Sequence, residues 1–430
     1  MQNAAIRSAS SIHSAKLLLG AFILLAAIFF VADHDLYFSI KAEELQDIDG
    51  TIGRIAESSL GRFIVFPILG LAGAIGLLRS GINCLRINGV LGWLLVFYIA
   101  WASLSLAWSD DAALTLRRVL ALWMLCLGAL AMVKHFNLRD IILCLFYTTL
   151  LYLIIGLAAE IGLGTFRPLT FGYRFSGTLH PNFQGVNCAL LLMTGLYTGR
   201  VSSKRGRYFF RVCAAAGFVF LIFTGSRTAF AGAIVAFLVS WNFSLSRSRK
   251  LGWLLGISIG MCLLILLSDV DFIKASWQSI LLGRTGPGAE FSTLSGRIPL
   301  WKDCLDYAAK RPFQGYGYSS FFTTVHISKF GASHGWAFTH AHSAYLESLL
   351  GTGVIGLVSF VSIFILAIKR AIDRYKNSLN PVHACSIAIL VFCALNGVLE
   401  ATIVHANMLS FIAMINLCNL GFTQLKGHTR

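Results

Sequence analysis

Charge is what this chain has least of. Asp, Glu, Lys and Arg make up 13% of its 430 residues, against roughly 25% in a soluble domain. Such a chain is neither a soluble core, nor a secreted disulfide scaffold, nor a disordered tail. Proline is scarce too, at 7 residues, so few helices need be broken. The ten cysteines form no CxxC pair. Most lie in apolar runs (Cys126, Cys144, Cys188, Cys213, Cys262, Cys385, Cys393, Cys418) and pack there as small hydrophobes, while Cys304 falls in a polar loop. No Walker-type phosphate loop and no HExxH zinc motif occur.

What is abundant is apolar: 57% hydrophobic residues, 33 Phe and 40 Gly, with a mean hydropathy of +0.73. A backbone that crosses lipid must satisfy its own hydrogen bonds, so the expected fold is an all-α polytopic membrane protein. Apolar runs near the length of a ~30 Å bilayer core fall at about 17–33, 62–78, 89–108, 118–133, 140–160, 184–199, 209–225, 227–243, 251–268, 343–368, 382–403 and 406–423. About 12 transmembrane helices are expected, in a single membrane domain covering 1–430. The first run follows Arg7 and Lys16 but lacks a small-residue cleavage site, so it reads as a span and not a cleaved leader.

The net charge of +16 resembles a nucleic-acid signal until it is sorted by side of the membrane. With the N-terminus inside, the inner segments hold more than half of the 35 Lys and Arg, but only Asp140 and Asp373 among acidic residues. That is the positive-inside pattern. The charge is topogenic, both termini fall in the cytoplasm, and nucleic acid is not a partner. Two outer loops are long. One, 33–61, is acidic; the other, 269–342, is too long to be idle. Within it Ile298, Trp301, Leu305 and Ala308 recur at helical spacing, which predicts an amphipathic helix at the interface, stopped by Pro312.

Polar residues that could do chemistry collect at the outer face. Arg227, in TGSRTAF, interrupts a long apolar stretch; a charge there is costly and marks a functional candidate, the plain alternative being a hairpin Arg that snorkels. Arg174, His180 and Asn182 lie together in GYRFSGTLHPNFQG. Asp110 reads as the cap of the helix that begins near Ala112. Arg297 opens the loop helix, where a cation opposes the dipole unless an anion is bound. His334, His340 and His342 precede the next span, with Glu347 just inside it. Three histidines suggest zinc, but nothing nearby completes a ligand set, and a His at the mouth of a span suits a general base. Several arginines and one imidazole fit a phosphorylated donor: guanidinium binds phosphate oxygens bidentately and steadies a diphosphate leaving group, and a base serves the acceptor hydroxyl.

Five segments in this order resemble the O-antigen ligase/O-antigen polymerase superfamily of bacterial membrane glycosyltransferases: AWSDDAALTLRRVLAL, RFSGTLHPNFQG, TGSRTAF, SGRIPLWKDCLDYAAKRPFQGYGYSSF and HAHSAYLESLLGTGVIGLVSF. They cover about a quarter of the chain. The resemblance implies an inverting, metal-independent transfer of an oligosaccharide from undecaprenyl diphosphate to a hydroxyl, with no cofactor. It puts the donor diphosphate on Arg227 and Arg297 and the catalytic base on His342, with His340 close enough to compete for that role. Arg174, His180, Asn182, His340 and Tyr316 are further substrate-binding candidates. Partners implied are the lipid-linked oligosaccharide, an acceptor glycan, membrane lipids and a chain-length co-polymerase. The place implied is the bacterial inner membrane, with the active site facing the periplasm. The HPN and GYG segments look closer to exopolysaccharide, capsule or O-antigen polymerases; Gly351 and Gly353 are spaced differently from the ligase pattern. An O-antigen ligase acting on lipid A–core is the second reading, and a lipid-linked oligosaccharide transporter the third.

Overall fold

The computed structural model describes residues 2–41, 59–79, 85–170, 172–243, 297–334 and 338–424. Helices follow one another as α1 (Gln2–Asp33), α2 (Phe38–Lys41), α3 (Ser59–Arg79), α4 (Gly89–Leu104), α5 (Ala112–His135), α6 (Leu138–Gly162), α7 (Pro181–Arg200), α8 (Lys204–Phe223), α9 (Arg227–Asn242), α10 (Arg297–Lys310), α11 (Thr324–His334), α12 (Ala344–Ser378), α13 (Pro381–Leu399) and α14 (Met408–Gly421). Eight stretches among the described residues are long and apolar enough to cross a membrane. The protein is an all-α, multi-pass membrane protein, as its hydropathy requires.

Three expected spans are helices of the same bundle but fall below that mark. With 16 and 14 residues, α9 and α14 reach only ~21–24 Å at 1.5 Å per residue. In α7 the run is diluted by buried Gln184, Asn187 and Thr194. The expected span at 251–268 lies outside the described residues, as does the first part of the long loop.

Helix boundaries follow local chemistry. Asn137, Ser203, Asn380 and Asn407 cap α6, α8, α13 and α14 by accepting backbone N–H bonds, while Pro181 and Pro381 open α7 and α13. The cap of α5 is Asp111, which accepts from the Leu114 N–H at 2.9 Å. The expected cap, Asp110, instead pairs with Arg311 at 2.8 Å. One residue of offset turned that carboxylate outward.

Helices approach closely where glycine allows it. A Cβ on Gly73 of α3 would meet the Leu127 carbonyl oxygen of α5 at 2.7 Å. The sequence pattern contained no strand, yet β1 (Leu85–Ile87) and β2 (Phe422–Gln424) pair antiparallel. They join the entry of α4 to the exit of α14, and the Asn88 N–H donates to the Gly421 carbonyl at 2.8 Å.

Around that strand pair gathers one end of the bundle. There Lys134 donates to the Leu77 carbonyl, Arg370 to the Asn88 carbonyl and Arg374 to Asn419. The other end collects the exits of α1, α4, α6, α8 and α13 and the entries of α3, α5, α7, α9, α12 and α14. Bonds such as His34–Thr178 at 2.7 Å and Tyr318–Val404 at 3.0 Å tie those turns together.

The loop helix α10 forms as its spacing predicts, but its buried face is different. Leu300, Cys304 and Ala308 are buried, while Ile298 and Leu305 are about half exposed. Of the expected face only Ala308 and the partly buried Trp301 turn inward; Cys304, whose sulfur packs as a hydrophobe, joins them with Leu300.

Candidate active site

The site grows from helix ends. Arg297 begins α10 and lies against the end of α13. Its Nη1 donates to the Leu399 carbonyl, and its Nη2 reaches Glu400 Oε1 at 3.1 Å. Both side chains are withdrawn from solvent, at 15% and 6% exposed. The same Glu400 oxygen accepts from Asn182 Nδ2 at 2.9 Å. Asn182 Oδ1 in turn accepts from Arg174 Nη2 at 2.9 Å, and Arg174 Nε donates to the Thr224 carbonyl at the end of α8. Two guanidiniums thus seal two helix C-termini, where unsatisfied carbonyls favour cations.

Arg174 runs beside the tight turn that precedes α9. Gly225 adopts φ +62, and a Cβ there would meet Arg174 Nε at 3.0 Å, so the turn needs its glycine. Ser226 caps α9 and Arg227 is its first residue. Arg227 therefore opens a helix whose N-terminus already favours an anion. His180 caps α7 by accepting the Asn182 N–H on Nδ1 at 3.2 Å.

The His-Ala-His segment is held through both backbone groups of its central residue. The Ala341 carbonyl accepts from Trp301 Nε1 of α10 at 2.8 Å, and the Ala341 N–H donates to Glu347 Oε1 of α12 at 2.6 Å. His342 takes the left-handed conformation at φ 50, which costs a non-glycine residue ~1 kcal/mol or more and persists only where the surroundings enforce it. The His340 and His342 rings lie 4.1 Å apart. One ligand atom each from His340, His342 and Glu400 falls within 4.8 Å of the others.

Burial first, and Arg297 second, press the His340 imidazole down to about 4. Burial, then His340, Arg297 and His180, hold His342 well below the usual imidazole value. Both rings are therefore neutral near pH 7, with a lone pair ready to take a proton. The same three groups could hold a cation. Tetrahedral ligation at ~2.0–2.1 Å needs donors ~3.3 Å apart, and Glu400 Oε1 is already engaged with Arg297 and Asn182. The donor set is better matched to moving a proton.

The Tyr316 hydroxyl donates to the Tyr307 carbonyl of α10, and its ring packs in one buried cluster with Leu300, Phe338 and Ala341. Its segment also ties the loop to α12. The Tyr316 and Gly317 N–H groups donate to the carbonyls of Leu350 and Gly351, and the Val354 N–H donates to the Pro312 carbonyl. α12 is broken at this point, with Gly353 at φ 67, ψ −171. The side chain of His334 lies outside the described residues.

Sequence reasoning undervalued Glu400 and passed over His405 and Ser319, which share a 3.0 Å bond. The available signal for Glu400 was its solitude, a single carboxylate in the apolar stretch 382–423.

A polytopic α-helical membrane protein, with buried guanidiniums and paired imidazoles at one end of its bundle, is the class these features define. Residues 212–361 match the O-antigen ligase family model. That stretch contains Arg227, Arg297, His340 and His342, whereas Arg174, His180, Asn182 and Glu400 lie outside it. Over 180 residues the chain is also 27% identical to an O-antigen ligase of Pseudomonas aeruginosa, an overlap of 42% of this chain and 38% of that relative. Both matches support the resemblance to the O-antigen ligase/O-antigen polymerase superfamily.

Proposed function

We propose that the protein is a membrane oligosaccharide transferase that moves a glycan from undecaprenyl diphosphate to a hydroxyl of an acceptor glycan. The carrying observation is the Arg297–Glu400–Asn182–Arg174 network beside the His340/His342 pair. In the reaction the acceptor O–H attacks the anomeric carbon from the face opposite the diphosphate, giving inversion. A new C–O bond forms as the old C–O bond to phosphate breaks. The hydroxyl proton passes to an imidazole, His342 by preference because its backbone is held in a strained conformation at the mouth of α12. The electron pair leaves on the diphosphate, whose charge Arg297 and Arg227 take up. Neither a metal nor a cofactor has a step here.

The acceptor in this reading is a second lipid-linked repeat unit, so the product is a polymer; a chain-length co-polymerase would act alongside. A ligase acting on lipid A–core is the second reading, favoured by the likeness to the O-antigen ligase family model and to the Pseudomonas aeruginosa O-antigen ligase. The positive-inside rule puts the basic end in the cytoplasm. The site then faces the periplasm of the bacterial inner membrane, and the chain forms one membrane domain.

The test is reconstitution into vesicles with lipid-linked donor and acceptor. Glycosidic bond formation, read by mass spectrometry, is expected; movement of lipid-linked glycan across the bilayer without a new bond would replace the enzyme with a transporter. In a deletion strain, single repeat units on carrier indicate a polymerase, and full-length polymer on carrier a ligase.

A further inference from the structure

Beside the site lies a second polar pocket that the transfer mechanism does not use. It is a small cavity whose lining includes Arg118, Tyr318 and Ser319 toward the site and Leu122, Leu125 and Met414 deeper in the bundle. Arg118, Leu122 and Leu125 share one face of α5, with the charge at the end nearer the site.

The Arg118 guanidinium makes no hydrogen bond or ion pair among the described residues. The carboxylate whose field reaches it is Glu347, which is already bound to the Ala341 N–H. Arg62 is also near and adds its charge, though Asp33 lies 3.6 Å from it. His405 sits between two residues that line the cavity, Val404 and Ala406. Its Nδ1 bonds Ser319 Oγ at 3.0 Å, and its buried Nε2 has no hydrogen-bond partner among the described residues. Its ring lies 6.0 Å from that of His340. An uncompensated guanidinium in a low-dielectric pocket is costly unless an anion completes it. Basic pockets between spanning helices take lipid phosphates, and Arg118 lies in the second turn of such a helix.

We propose that Arg118, with Ser319 and His405, holds the phosphate of a second lipid-linked glycan whose sugar lies toward the imidazole pair. That this molecule is the acceptor rests on the transfer reading above; that an anionic lipid phosphate binds here does not. The phosphate can belong to a polyprenyl diphosphate or to a phosphorylated glycolipid such as lipid A.

The test uses the full chain in lipid nanodiscs, titrated separately with undecaprenyl diphosphate and with lipid A. If the polyprenyl carrier is the source, wild type takes up two equivalents of undecaprenyl diphosphate and Arg118→Gln one. If the glycolipid is the source, wild type takes up one equivalent of each, and Arg118→Gln loses lipid A alone. In either case Arg118→Lys keeps the second equivalent with affinity reduced about tenfold, and His405→Gln weakens it severalfold. A charge-preserving variant also guards against loss of fold, which thermal unfolding of each variant reads directly. Folded Arg118→Gln that binds both lipids as wild type does overturns the proposal, as does wild type that takes up one equivalent of undecaprenyl diphosphate and no lipid A. Wild type that binds a second lipid through Arg118 but forms no glycosidic bond removes the transferase reading and leaves the site standing.

Discussion

The two ends of the bundle use the same residue type for opposite purposes. At the end marked by β1 and β2, Lys134, Arg370 and Arg374 finish their bonds on backbone carbonyls and one amide. At the other end Arg297 and Arg174 also reach helix carbonyls, but each is bound to side chains as well, and the chain of contacts passes through one buried carboxylate to a pair of neutral imidazoles. Basic charge alone therefore says little. A guanidinium that ends on carbonyls serves topology, whereas one sequestered with a carboxylate beside histidines is the kind the proposed chemistry needs.

The sharpest way to break this contrast is to delete charges at each end. Arg297→Ala and Arg227→Ala should each lower the transfer rate in vesicles by roughly 10²–10³-fold, and His342→Ala by roughly 10²–10⁴-fold. Arg297→Lys should fail similarly, because an ammonium lacks the planar fork. Arg374→Ala, at the opposite end, should leave the rate within about twofold. Equal losses at both ends would erase the distinction.

A smaller effect separates buried from exposed pairing. Glu400→Ala leaves Arg297 buried without its carboxylate and should destabilise the protein by about 3–5 kcal/mol. Asp110→Ala breaks the pair with Arg311, whose side chains are 44% and 36% exposed, and should cost about 1 kcal/mol or less. Unfolding in detergent compares the two directly.

The imidazoles give a pH test. With His340 pressed down to about 4 by burial and then Arg297, the folded site stays neutral where an unfolded histidine, near 6.5, would already be charged. With His342 also held well below the usual imidazole value by burial and its cationic neighbours, transfer should hold level as pH falls through 6.5 and decline only well below it. Stability moves with the same sign: the unfolded chain binds the proton first, so the contribution is whole above about 6.5 and drains away as pH drops from there toward about 4. A rate that halves near 6.5 would mean that the working imidazole is solvated. The smallest expected effect is that of a chelator. EDTA should leave transfer unchanged, and loss restored by an added metal would turn His340, His342 and Glu400 into ligands.

The spans were legible because hydropathy over some twenty residues sums many weak preferences that all agree. Arg227, Arg297, Arg174, Asn182, His340 and His342 were legible as charges and polar groups in the wrong solvent, and the structure ties Arg297, Asn182 and Arg174 into one network beside the imidazoles. Glu400 was not, because its partner Asn182 is 218 residues away in the chain and no local pattern encodes that meeting. The same holds for Ser319 and His405. The β1–β2 pair escaped because three residues carry too little alternation to register. The capping of α5 by Asp111 instead of Asp110 is the usual one-residue ambiguity of adjacent carboxylates, resolved by φ and ψ and not by residue type.

The break in α12 has a mechanical corollary. Where Gly353 interrupts the ladder, loop amides take the places of the missing rungs, and a single methyl on that glycine would strike the Phe313 oxygen at 2.1 Å. Loop and span are hemmed together by those stitches. Sliding one by a residue would swing the His340/His342 mouth of the helix by about 100° while dragging α10 along. The proposed donor grip and proton acceptor would consequently keep a common registration, set by a seam of main chain.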